Sequence, residues 1–175
     1  MAAMRRIQIH IDEELDEAVA TFEHIGEKQM VIETKAKIAE NLAFQGSAPR
    51  ALATAKDALA MIDPAEGTNM AAPMLQRIRG YALMQMRSLA DAGEAFEQSL
   101  SLANASEIQY DVALALRASA YLARCRQTRR DDLEAKSASI LARLGVASVV
   151  DPPGTMDPGQ GATIELDPLR SGTSS

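Results

Sequence analysis

Leu89-Ala-Asp-Ala92-Gly-Glu-Ala-Phe96-Glu97 repeats the anchor residues of an earlier stretch, Leu15-Asp-Glu-Ala18-Val-Ala-Thr-Phe22-Glu23. A weaker copy, Ala48-x-x-Ala51-x-x-x-Ala55, lies between them, so the unit recurs after 33 and then 41 residues. A second series interleaves with the first. Lys37, Arg77 and Arg117 stand 40 residues apart, each followed four residues later by Asn41, Tyr81 or Tyr121. Self-similarity at this period is the mark of stacked two-helix units, in which each unit buries its apolar face against its neighbours.

Composition agrees. The 175 residues are 47% hydrophobic, but Trp is absent and only three Tyr and three Phe occur. Ala, Leu, Met and Ile favour closely packed helices, whereas a sheet protein would draw on β-branched and aromatic residues. A net charge of -6 argues against general nucleic-acid binding, which needs a basic surface to displace counterions. The single cysteine, Cys125, cannot form an internal disulfide, and no segment approaches the ~20 apolar residues of a membrane span. These features predict a cytoplasmic, all-α protein.

Apolar spacing predicts seven helices. The first runs from about Glu13 to Ile25, opened by Asp12 and stopped at Gly26; Glu13 and Glu14 suit its N-terminus electrostatically. The second runs from about Lys28 to Phe44, and the third from Pro49 to just before Asp63-Pro64. The fourth spans about Met70 to Met86, and the fifth runs from the Ser88 cap to about Ala103. Ser106-x-x-Gln109 reads as a capping box for the sixth, which reaches Arg126, and Thr128-x-x-Asp131 as a cap for the seventh, which ends at Leu144-Gly145. Residues 1–11 read as a lead-in, 12–145 as the repeat domain, and 146–175 as a flexible tail rich in Pro, Gly and Ser.

The repeated residues resemble the tetratricopeptide repeat family, over about residues 12–145. Gly80 with Ala92, Phe96 and Leu100 is similar to one unit's motif, and Gly46 with Ala51, Ala58 and Leu59 to the unit before it. The match lacks the large aromatic usual early in a unit's first helix, and Arg87 stands where the turn often has Gly. The likeness implies a short right-handed α-solenoid of antiparallel helices acting as a non-catalytic protein–protein interaction scaffold. Three runs, Gln76–Gln85, Leu89–Glu97 and Tyr110–Arg117, are also similar to the C-terminal region of bacterial multidomain regulators. Those proteins carry a class III nucleotide cyclase or DNA-binding domain and a signalling ATPase module. The likeness implies the repeat portion of a signal-transduction or transcriptional regulator. Because the motif at Leu15 belongs to a hairpin's second helix, its register leads us to expect a fragment.

In such a stack the first helices of the hairpins line a concave groove. The 40-residue series therefore nominates Lys37, Asn41, Arg77, Tyr81, Arg117 and Tyr121, with Met84 as a further lining residue. Cations beside Tyr rings would suit a protein or peptide partner, either an acidic segment or another domain of a larger regulator. The alternative is that both tyrosines fill the seams between repeats and the cations cover them. Lys37-x-x-x-Asn41 also echoes the start of a carboxylate clamp, but Ile78, Leu114 and Ala118 cannot supply its remaining polar groups.

Other features carry less. Arg124, Arg126, Arg129 and Arg130 form a basic turn beside Asp131 and Asp132, read as a solvated junction or as a contact for phosphate or an acidic partner. Cys125 reads as a small core residue, and His10 and His24 lack metal-ligand spacing with it. No phosphate loop, zinc motif or nucleophile elbow occurs, so neither an enzyme nor a cofactor is expected. A competing reading comes from Arg5-Arg-Ile-Gln-Ile-His-Ile-Asp12, which alternates like a strand and resembles the opening of ribbon-helix-helix repressors, with Arg6, Gln8 and His10 facing DNA.

Overall fold

The computed structural model describes residues 2–128 and 130–153, with side chains described from residue 13 onward except at position 66. It is helical throughout: α1 (Ala2–Ile25), α2 (Lys28–Phe44), α3 (Ala48–Ala60), α4 (Ala72–Gln85), α5 (Leu89–Ala105), α6 (Gln109–Cys125) and α7 (Asp131–Arg143). A 3-10 turn, Pro64–Glu66, interrupts the longer connection between α3 and α4. The described residues contain no strand, and none of their helices is long and apolar enough to cross a membrane.

The expected strand over Arg5–Asp12 is therefore corrected: that stretch is the first half of α1. The helix runs unbroken from Ala2 to Ile25, so the strand that the alternating pattern suggested is not formed. For the same reason Glu13 and Glu14 lie inside a helix rather than at its start, and the proposed lead-in is helical.

Each helix packs on the next in chain order, and α4 additionally touches both α2 and α6. Three apolar clusters follow one another along the chain. Ile32, Ala36, Ala51, Ala55 and Leu75 belong to the first, and Tyr81, Ala92, Phe96 and Leu122 to the second. Ala103, Val112 and Leu116 belong to the third. Ala at the crossings lets helix axes approach to roughly 8–10 Å. The two copies of the sequence motif are buried to different depths: Ala92 and Phe96 are fully buried, whereas Leu15, Ala18 and Phe22 are half-buried because α1 is covered by α2 alone.

Gly80 of α4 lies directly against the Phe96 ring of α5. A Cβ there would fall inside 3.0 Å of three ring atoms of Phe96, so the ring occupies the space that any other residue would fill. Tyr81 meets the same ring edge to face, with centroids 5.4 Å apart. Two buried hydroxyls tie neighbouring helices alike: Ser99 Oγ of α5 donates to Pro73 O of α4 at 2.7 Å, and Ser137 Oγ of α7 donates to Ala113 O of α6 at 2.7 Å.

Helix ends explain two misread caps. Ser106 follows α5 and its hydroxyl donates backward to Leu102 O, and Thr128 donates to Ala123 O. Both therefore finish a preceding helix, and Ile108 and Arg130 occupy the N-cap positions of α6 and α7. Six helices close with the same pair of backbone bonds, as in Gly46 N–H to Ala43 O and Ser47 N–H to Leu42 O. The residue after the C-cap takes positive φ each time. Gly26, Gly46 and Gly145 do so freely, but Arg87 (φ 65°), Glu107 (φ 57°) and Gln127 (φ 57°) do so against their Cβ. Replacing each of these three with Gly is expected to stabilise the fold by about 0.5–1 kcal/mol, the strain relief outweighing the extra backbone entropy of Gly. Thermal melts of the single variants check this; a lowered midpoint would contradict it.

Candidate functional site

The most instructive hollow lies where α2, α4 and α6 come together. It has a volume of about 340 Å³, with Asn41 and Phe44 from α2, Arg77 and Tyr81 from α4, and Tyr110 and Arg117 from α6 on its walls. Four of the seven nominated residues, Asn41, Arg77, Tyr81 and Arg117, are thus brought together. The 40-residue spacing places them on helices that sit side by side, and the four-residue step keeps each pair on one face.

The other three are placed elsewhere. Met84 is buried in the core around Phe96, not in the hollow. Tyr121 packs in that same core, with the Arg124 guanidinium 5.6 Å above its ring; burial, with Cys125 nearby, pushes its phenol up to about 12. Tyr121 therefore belongs to the core and does not line the hollow. Lys37 is exposed, pairs with Glu40 at 3.2 Å, and borders a separate apolar hollow lined by Leu15, Met30, Met70 and Met74.

The polar residues of the hollow are held by specific partners. Arg77, only 5% exposed, donates to Asp111 at 3.0 Å and so ties α4 to α6 through the floor. On the other side, Gln85 Nε2 donates to Ala43 O at 2.8 Å and ties α4 to the last turn of α2. Burial pushes the Tyr81 phenol up; the guanidinium groups of Arg77 and Arg117 oppose this in part, and Glu40 adds to it. Tyr81 therefore faces the hollow as a neutral hydroxyl at physiological pH, with its ring locked against Phe96.

Arg117 is engaged differently. One guanidinium nitrogen donates to Val149 O at 3.2 Å and to Val150 O at 2.8 Å, and the other to Asp151 Oδ1 at 2.6 Å. Residues 149–151, within what was read as a flexible tail, are thereby seated on α6, and the Pro152 and Pro153 that follow are buried. Val149, Val150 and Pro152 form part of the hollow's wall. Residues 154–175, the remainder of that tail, lie outside the described residues. The sequence reading also missed Phe44 and Tyr110, which stay 46% and 43% exposed. Their signal was an aromatic at a helix end in a chain with few aromatics.

Two cations of the basic turn are paired within the protein. Arg124 pairs with Glu134 at 3.1 Å and Arg130 with Asp132 at 3.0 Å, while Arg126 donates to Leu89 O; Arg129 lies outside the described residues. Cys125 is exposed rather than a core residue, because it ends α6 just before the turn. Met84 is buried, whereas Met70 and Met86 are 60% and 47% exposed. No group of three His, Cys, Asp or Glu side chains able to hold a metal occurs among the described residues. No protein-family model matches this sequence, and no curated protein matches it either.

Proposed function

We propose that the chain is a helical-repeat interaction module, arranged as a short right-handed solenoid of antiparallel hairpins like a tetratricopeptide array. In this reading α2, α4 and α6 present one concave face to an extended peptide segment bearing an acidic side chain. The connections of two or three residues after α1, α2, α4 and α5 favour hairpins. The ordered packing of α2 on α4 and α4 on α6 favours a stack. The likeness to the repeat regions of bacterial regulators makes a signalling assembly the natural setting, with a protein or another domain as partner.

The observation that carries the reading is the hollow itself, whose walls combine repeat-equivalent residues of three helices with two half-exposed aromatic rings. Exposed aromatics in a concave setting supply contact area at low entropic cost, and Arg117 supplies charge and paired donors. Peptides selected from a random phage-displayed library on the full chain are expected to lose at least about tenfold in affinity for a Phe44→Glu, Tyr110→Glu variant. They should bind normally to Glu94→Lys, an exposed change on α5. Equal binding to all three proteins would reject the groove.

A further inference from the structure

We propose that residues 149–152, which wall one side of this hollow, are a built-in occupant of the groove, competing with the partner, and that the partner offers the same chemistry: an extended segment in which an acidic residue precedes proline. This rests on the reading of the hollow as a peptide site.

Arg117 accepts the segment through both of its recognisable features. The carbonyls of Val149 and Val150 are bound whatever their side chains, and the Asp151 carboxylate is bound by charge and by the second arm of the guanidinium fork. Val150 itself is 74% exposed, so its side chain is not what is read. The following Pro152 and Pro153 are buried, which suits proline: it has no N–H to leave unsatisfied, and its fixed φ keeps the chain extended before binding.

The other cations near the hollow have partners on the helices themselves, Arg77 in Asp111 and Lys37 in Glu40. Arg117 differs, because its hydrogen bonds among the described residues all go to 149–151. Departure of the segment would leave a half-buried guanidinium facing the hollow, ready for an equivalent ligand. The segment also leaves Phe44 and Tyr110 open, so a longer partner would cover rings that the internal occupant does not. A tethered segment acts at an effective concentration on the order of millimolar, enough to suppress weak ligands and yield to better ones.

The test uses the full 175-residue chain and a fluorescein-labelled peptide, Val-Ala-Ser-Val-Val-Asp-Pro-Pro-Gly-Thr, copied from residues 146–155. The probe is expected to bind an Asp151→Lys, Pro152→Gly, Pro153→Gly chain about tenfold or more tighter than the wild type, because the competitor is disabled. Adding Arg117→Gln to that variant should remove most of the gain; Arg117→Glu should remove all of it. Equal affinity for the wild-type and opened chains overturns the proposal. Backbone amide spectra locate any failure. Unchanged signals for Tyr110, Leu114 and Arg117 between wild type and the opened variant would show that the segment does not sit there. Changed signals without probe binding would overturn the competitive role and trace the error to the peptide-site reading instead.

Discussion

Gly80→Ala is expected to destabilise the protein by roughly 2–3 kcal/mol, although Ala is the better helix former. On an open helix face the change would stabilise by about 1 kcal/mol. Here the new methyl would meet the Phe96 ring inside 3.0 Å, and that ring is fully buried among Tyr81, Ala92 and Ala95. Overpacking of a tight core costs typically 1–3 kcal/mol and occasionally more, and the ring has no open side to move toward. The clash therefore outweighs the propensity gain. Phe96→Leu alone should be destabilising, yet the double variant Gly80→Ala, Phe96→Leu should lose less than the two single losses summed. Urea denaturation of the four proteins measures that coupling. A stabilised Gly80→Ala protein would contradict the packing described between α4 and α5.

Arg77→Ala should cost about 3 kcal/mol, through a different mechanism. The Arg77 and Asp111 side chains are 6% and 15% exposed and lie 3.0 Å apart, so removing the cation strands a carboxylate in a largely dry setting. Breaking a buried pair from one side typically costs 3–5 kcal/mol, while replacing both partners with apolar residues is often neutral. Arg77→Met with Asp111→Leu is accordingly expected to recover most of the loss. Recovery would show that Arg77 fixes the spacing of α4 and α6 beneath the groove rather than contacting the ligand. Failure of the double variant to recover would assign Arg77 a role beyond that pairing.

Much of the helical layout was legible because its punctuation is chemical. Gly26, Gly46 and Gly145 close helices with the φ that Gly prefers, and Pro49 opens one. The junctions after α4, α5 and α6 are harder to read. Arg87, Glu107 and Gln127 adopt that same φ under tertiary constraint, so Ser106 and Thr128 looked like starts when they belong to stops. The apolar and polar alternation of residues 5–12 fits a short strand and a helix stripe equally well over so few residues, and the helix continuing to Ile25 decides between them.

The site was legible to the extent that it follows the repeat. Equal spacing brought Asn41, Arg77, Tyr81 and Arg117 to one hollow. It did not reveal which would be free: Arg77 and Tyr81 are anchored in the floor, whereas Arg117 reaches the incoming segment. Tyr121, four residues beyond Arg117, is the counterpart of Tyr81 but packs under Arg124. Composition alone also hid residues 149–153. A run of Pro and Gly signals the absence of regular structure, and only the position of Arg117 shows that such a run has a seat.

The central claim is that equivalent faces of the three alternate helices α2, α4 and α6 form one binding surface. Its most direct test is a titration of the isotope-labelled 175-residue chain with a library-selected peptide, following backbone amides. The expected result is that signals of Asn41 on α2, Tyr81 on α4 and Leu114 on α6 move together and fit one dissociation constant. Shifts confined to α3, α5 and α7, or to a single helix, would contradict it.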